Sequence, residues 1–343
     1  MPPDRLGGAR WPQAVRATWS SLLVCLLLLA ACSSDGGGGS ATTPTTQGAD
    51  GLIAQVASFD LAVGPPSRFI VGLQSADLRL VVFGTVELRF AYLGTRDAPV
   101  RSPEPGAPVT ASYLPIPGTP PPPDGATPQL LSGSQARGVY AASVGFDRTG
   151  FWQVEVTAAL DGEARTATGA FTVLDRHAVP APGDPAPRSE NLTMDVPPDV
   201  PRAAIDSRAG SDGTAPIPDP ELHATTVAAA LAAGRPVVVT VSTPVYCTSR
   251  FCGPVTDMVQ ELSHVYGDRA SFVHIEVFRE FQNTVINKAA AEWIYPDQAT
   301  GLNEPWVFVV GGDGIVTARF DNVATRAEVE PLLQALPVIA PPA

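Results

Sequence analysis

The first half of the chain is built from short apolar runs with partial period-two alternation, the spacing that sends successive side chains to opposite faces of a strand. "RFIVGLQ", "LRLVVFGTVELRFAYLG", "GVYAASVGF", "GFWQVEVTAAL" and "ATGAFTVL" all fall between residues 51 and 174. In "WQVEVTAAL", Trp152, Val154 and Val156 share one face, and Gln153, Glu155 and Thr157 share the other. Turn residues separate the runs at Gly84, Gly94, residues 147–150 and Asp161-Gly162. The pattern predicts a small all-β antiparallel sandwich over residues 51–175. Residues 101–128 are dense in proline and glycine, which predicts a long surface loop rather than a central strand.

Residues 176–219 read as a Pro-rich linker, because proline fixes φ and disfavours helix in the residue before it. Beyond it the period changes. Residues 221–233 are alanine-rich, with Leu222, Val227 and Leu231 apolar, and predict a helix ended by Gly234. "RPVVVTVST" (235–243) is a nearly continuous β-branched run, suited to a strand buried on both faces. Val255, Met258, Val259, Leu262 and Val265 recur at helical spacing and predict a helix over 254–266. "SFVHIEVF" is a further strand, residues 283–294 a helix, and "PWVFVV" with "GIVTARF" a hairpin around residues 311–314. Residues 325–336 are a last helix in which Thr325 and Glu328 are spaced as a capping box. The second domain is expected over residues 220–338.

The N-terminus carries Arg5, Arg10 and Arg16, then an apolar run over residues 22–29, then "LAAC". A basic segment, a short apolar segment and small residues before a cut site are the parts of a secretory signal. The run is shorter than the ~20 residues a membrane-spanning helix needs. "LAAC" resembles the lipobox of bacterial lipoproteins. The resemblance implies that residues 1–31 are a removed signal peptide and that Cys32 is acylated. The protein would then be anchored by lipid to the outer, extracytoplasmic face of the cell membrane. Residues 32–50, rich in Gly, Ser and Thr, read as a flexible tether.

Charge narrows the partners. Of 22 basic and 34 acidic side chains, residues 1–31 hold three Arg and one Asp, which leaves 19 against 33, a formal charge of -14. That balance argues against nucleic acid and against a polybasic grip on anionic lipid. On the lipobox resemblance, membrane lipid is expected as a partner through acylated Cys32.

The chemistry rests on the cysteines. Cys25 leaves with the signal and Cys32 is used by lipid, so Cys247 and Cys252 remain as one pair in "STPVYCTSRFCGPV". A single pair outside the cytoplasm favours a disulfide or a redox dithiol. Cys252 opens a predicted helix. The free N–H groups and positive dipole end there favour an anion, so Cys252 is expected to be the more thiolate-like sulfur.

The order strand, cysteine loop, helix, strand, helix, hairpin, helix, with "CGP" at residues 252–254 and "EPWVFVV" at 304–310, resembles the thioredoxin-like or redoxin family. "GDPAP" (183–187) resembles the opening segment of redoxin domains, which would start this domain near Pro182. The resemblance implies an α/β thioredoxin-like fold for the C-terminal domain. It also implies a cis proline at Pro305 packed beside the cysteines, and exchange with the thiols and disulfides of exported proteins. "GVYAASVGFDRTGFWQVEV" is similar to the C-terminal half of bacterial Ig-like modules, including the YtkA-like kind. That likeness makes the N-terminal domain an Ig-like sandwich.

Two departures from the family pattern stand out. The spacing is C-x-x-x-x-C where thioredoxins have C-x-x-C, with Val255 in place of the family's second cysteine. The strand before the motif lacks the family's acidic residue, and Glu304 is the candidate proton carrier in its place. Tyr246 and Phe251 flank the pair as a candidate apolar rim, and Arg250 lies inside the loop. His264 and His274 read as ordinary surface or core histidines. No cofactor and no metal-ligand set is expected.

The readings that compete are a thiol–disulfide oxidoreductase using Cys247 and Cys252, and a thioredoxin-fold binding or scaffold lipoprotein whose disulfide is structural. A copper chaperone of the kind that assembles cytochrome oxidase would need C-x-x-x-C and a distant downstream histidine, yet the last histidine is His274. A peroxidase would need P-x-x-x-[ST]-x-x-C, which neither cysteine has.

Overall fold

In the computed structural model, residues 45–46, 51–210, 215–249, 251–295 and 302–339 are described. The expectations for residues 1–31, Cys32 and Arg250, and for all of the tether except Thr45–Thr46, lie outside them. The chain is mostly sheet with few helices, and among the described residues no helix is long and apolar enough to cross a membrane.

The strands of the first half are β1 (Thr45–Thr46), β2 (Leu52–Val56), β3 (Gly64–Ser75), β4 (Leu80–Val82) and β5 (Thr85–Gly94). Then follow β6 (Val109–Pro115), β7 (Gln129–Leu131), β8 (Gly138–Phe146), β9 (Gly150–Leu160) and β10 (Glu163–Val173). They pair in the order β1-β10-β9-β5-β6-β8-β3-β4-β7, with β2 added on β3. Asp161 and Gly162 both have positive φ, which suits a two-residue turn of the type that matches strand twist. They close the β9–β10 hairpin in register from Leu160↔Glu163 to Gly150↔Val173. The sheet curls until β2 meets β10. A Cβ on Gly169 would sit 3.2 Å from Val56 Cγ2 and 3.3 Å from the Ala54 carbonyl.

The core of this half is aromatic. Phe69, Phe90, Phe146 and Phe171 contact one another edge-on or tilted, with centroids 5.0–6.5 Å apart, the arrangement that ring quadrupoles favour. Trp152, Val154 and Val156 are buried on the inner face as the alternation predicts. One expectation is overturned. Residues 101–128 are not a continuous loop, since they contain β6, which pairs β5 on one side and β8 on the other. "VTASYLP" has no proline until Pro115, where the strand ends. The prolines around it punctuate the segment rather than preventing the ladder. Thr45 and Thr46, expected in the tether, pair with β10.

The second half holds α1 (Val227–Ala232), β11 (Val237–Ser242), α2 (Cys252–Tyr266), β12 (Ser271–Glu276), β13 (Phe278–Glu280) and β14 (Val285–Ile286). It continues with α3 (Lys288–Ile294), β15 (Trp306–Val310), β16 (Val316–Asp321) and α4 (Arg326–Gln334). Its main sheet runs β12-β11-β15-β16, with β11 parallel to β12 and the other pairs antiparallel. β11 is buried at every position, as its unbroken β-branched run predicts. Thr325 caps α4 and forms the capping box with Glu328.

Two predicted helices are shorter than expected. Residues 221–233 split into a 3-10 turn (Pro220–His223) and α1, because Thr226 takes extended backbone and caps α1 through the Ala229 N–H. Residues 283–294 give only α3, since Val285 and Ile286 pair with β13.

The Pro-rich segment is ordered against both halves. Gly183 N donates to the Val316 carbonyl, Val316 N to Asp184, and Ala186 N to Gly314, each at 2.9 Å, so "GDPAP" lies along the edge of β16. Val179 and Ala186 are buried in the same core as Val239, Trp293 and Phe308. Further along, 3-10 turns form at Arg202–Ala204 and Ser207–Ala209.

The two sheets join through charge and backbone contacts. Arg68 on β3 donates to Glu328 Oε1 (2.8 Å) and Asp321 Oδ1 (3.1 Å), and also to the carbonyls of Asp321 and Val323. Arg319 on β16 pairs with the buried Asp60 at 2.7 Å. Phe59 N donates to Asp321 Oδ2 at 2.7 Å, and Asn322 Nδ2 to the Ala57 carbonyl at 3.1 Å.

Candidate functional site

The buried strand β11 delivers the chain to the cysteine loop, and α2 carries it away. α2 is held down by Val255, Met258, Val259 and Leu262, all buried against Val238, Val307 and Val309 of the sheet. The helix begins two residues earlier than its apolar spacing suggests, which makes Cys252 its first residue. Phe251 at the N-cap provides no side-chain cap, and Pro254 has no N–H to offer. The uncapped start of α2 leaves backbone donors and the positive dipole end beside Cys252.

Cys247 and Cys252 form a disulfide, with Cα atoms 6.1 Å apart. The two sulfurs differ in access. Cys252 is fully buried, whereas Cys247 is half-buried, with Ser249 Oγ 3.2 Å from its Sγ. Their flanking aromatics have separate duties. Tyr246 stacks on Phe281 with centroids 3.8 Å apart. Phe251 packs against Ile70, Ile116, Val139 and Val323, so it fastens the cysteine loop to the outer face of β3 and β8.

Glu304 and Pro305 come to the sulfurs from the other side, at the start of β15. The Glu304–Pro305 bond is cis. A carboxylate oxygen of Glu304 and the Sγ atoms of Cys247 and Cys252 all lie within 4.8 Å of one another. Glu304 Oε2 is buried with no hydrogen-bond partner. Burial, and then repulsion from Glu276, push the Glu304 carboxyl up to about 8, against a lowering hydrogen bond from the Thr243 backbone. Near neutral pH this carboxyl therefore holds a proton it can give to a neighbouring anion.

Glu276 is the residue that reading the sequence missed here. It ends β12, is 2% exposed, and accepts from Ser207 N at 2.8 Å and Phe278 N at 3.3 Å. Burial raises its pKa as well. The signal was an ionisable side chain inside the otherwise apolar "SFVHIEVF". The Ser207–Ala209 turn also touches the cysteine loop, because Val245 N donates to Ser207 Oγ at 3.2 Å.

The histidines separate. His264 is exposed and bonds Glu221 Oε1 at 2.8 Å. His274 is buried, with Nε2 3.1 Å from Ser242 Oγ and 3.2 Å from the Ser242 carbonyl. Ser242 Oγ in turn lies 2.8 Å from Thr256 Oγ1, one turn into α2 from Cys252. His223, hidden in the alanine-rich run, is buried beside His274, with ring centroids 5.2 Å apart. The spacing Asp219-x-x-x-His223 was the available signal for it.

No protein-family model matches this chain, and neither a curated protein nor a solved structure is significantly similar to it.

Proposed function

We propose that this chain is a thiol–disulfide oxidoreductase of thioredoxin-like type, anchored by lipid on Cys32 at the outer face of the cell membrane. The sheet order β12-β11-β15-β16, with only β11 and β12 parallel, supports a thioredoxin-like domain. The curled first sheet supports an Ig-like sandwich. The observation that carries the reading is the grouping of Cys247, Cys252 and the carboxyl of Glu304 within 4.8 Å at the start of α2.

Access and electrostatics divide the work between the sulfurs. A client thiolate attacks the half-buried Cys247 Sγ, the Cys247–Cys252 bond breaks, and its electron pair leaves on Cys252. The start of α2 stabilises that thiolate, and neutral Glu304 supplies its proton. A second client thiolate then attacks the client sulfur of the mixed disulfide and expels Cys247 as thiolate, which takes a proton from water. Two client thiols become a disulfide while the chain's disulfide becomes a dithiol. The same steps reversed reduce a client.

The full burial of Cys252 favours a second reading, a scaffold or binding lipoprotein with a structural disulfide. A redox titration in glutathione buffers, read by alkylation and mass spectrometry, separates the two. A midpoint between about -120 and -270 mV belongs to working oxidoreductases. A midpoint below about -300 mV, or a pair reducible only after unfolding, belongs to a structural staple.

A further inference from the structure

Away from the sulfurs, Asp206, Asp219, His223 and His274 bring four side chains together, each no more than 1% exposed. One ligand atom from each lies within 4.8 Å of the others. His223 Nε2 is 3.4 Å from Asp219 Oδ1 and 3.6 Å from Asp206 Oδ2, and His274 Nδ1 is 3.4 Å from Asp206 Oδ2. Asp219 Oδ1, His223 Nε2 and His274 Nδ1 have no hydrogen-bond partner. Buried polar atoms left in that state are costly.

We infer that these four residues are the ligands of a divalent cation, with zinc the best match. Tetrahedral zinc binds nitrogen and oxygen at about 2.0–2.1 Å, which sets neighbouring ligand atoms about 3.3–3.4 Å apart. The three spacings above are close to that edge. They are too long for good hydrogen bonds. The surroundings fit as well. His274 turns Nε2 toward the Ser242 carbonyl, the outer contact that fixes a ligating imidazole with its other nitrogen free for metal.

Charge points the same way. Arg208 bonds Asp206 at 2.6 Å, Asp219, and Asp257 at 3.1 Å. Within the buried set two carboxylates against one guanidinium leave one negative charge, and the exposed Asp257 beside Arg208 adds a second, so the site is net negative and suited to a cation. The ligands come from three places: the irregular segment before α1 (Asp206), the turn at its end (Asp219, His223), and β12 (His274). A cation there would pin the segment whose Ser207 supports both the cysteine loop and Glu276.

The test uses the full-length oxidised chain in detergent, stripped with a chelator and then titrated with Zn2+ by calorimetry and with Co2+ by visible absorption. The same titrations are run on the Cys247→Ser/Cys252→Ser double variant, which removes thiolate ligands, and on His223→Gln and Asp219→Asn. One equivalent of Zn2+ is expected to bind wild type and the double-serine variant, to raise the unfolding temperature, and to be lost in the His223 and Asp219 variants. With Co2+, the same two proteins should give the intense spectrum of four-coordinate cobalt. Failure of folded wild type to bind either ion overturns the proposal, even where the variants do not fold. So does binding that disappears in the double-serine variant, which would place the metal at the cysteines.

Discussion

Burial of its carboxyl, and after it repulsion from Glu276 at the end of β12, raises the proton affinity of Glu304, two residues before β15 and beside the cysteines. A buried acid whose folded pKa is above its unfolded value binds more protons when folded. Its neutral form is then the compatible one, and stability falls as pH rises from the ordinary glutamate value of 4.5 through about 8. Wild type is thus expected to lose stability across that window. Glu304→Gln should make the profile shallower, the part due to Glu276 remaining, and gain up to a few kcal/mol at the alkaline end. Urea unfolding of both proteins at several pH values measures the difference.

The same substitution should change chemistry. With no proton to give, Glu304→Gln is expected to slow reduction of the disulfide by a small thiol and to remove the rate's dependence on pH near 8. A general acid contributes typically about 10²–10⁴-fold. Stopped-flow reduction by dithiothreitol, followed across pH, reads it. An unchanged profile would leave Glu304 a structural carboxyl.

Access should order the sulfurs. After gentle reduction of the folded protein, a limiting dose of iodoacetamide is expected to label Cys247 several-fold before Cys252, which is fully buried. Peptide mapping gives the ratio. Phe251→Ala, which frees the loop from Ile70, Ile116 and Val139, should narrow it.

Arg68 joins the two sheets, and its loss leaves Asp321 with Phe59 N and Glu328 with Thr325 but neither with a cation. Arg68 and Asp321 have side chains 16% and 10% exposed, between the exposed and buried extremes. Arg68→Ala is expected to cost more than the ~1 kcal/mol of an exposed pair and less than the ~3–5 kcal/mol of breaking a buried one. Arg68→Lys should rescue little, because a single ammonium cannot make the forked contacts with two carboxylates and two carbonyls. Denaturant melts check both.

Thr325→Ala removes the oxygen that accepts from Glu328 N and breaks the capping box of α4. The expected cost is about 1 kcal/mol, read as a lowered urea midpoint with an unchanged slope.

Much of this was legible in the sequence where a local rule had no rival. The alternation in "WQVEVTAAL", the β-branched run of β11, the spacing along α2 and the Thr325–Glu328 box all name structure that is present. β6 was lost because proline density was taken over a window, whereas a strand needs only the few residues between two prolines. The helix over 221–233 failed because alanine content hides a cap: Thr226 stops one turn and starts the next. The cysteines and Glu304 could be singled out from one motif each. Asp219 and His223 carry a local signal in their four-residue spacing, but Asp206 and His274 do not, because they lie apart in a segment of turns and in one strand. Only the tertiary fold brings them together.

The segment "GDPAP" has a consequence beyond entry into the second sheet. β16 ends the order β12-β11-β15-β16, and a terminal strand offers a row of unpaired N–H and C=O groups on which another chain can grow. Here part of that row is occupied from within. Residues 183–184 bond the backbone of Val316, and beyond it the side chains of Arg319, Asp321 and Asn322 hold residues 57–60, 179 and 180 alongside the strand. The proline-rich segment thus takes up, from within the chain, backbone groups at the Val316 end of β16 that a strand from a second copy would otherwise have to pair.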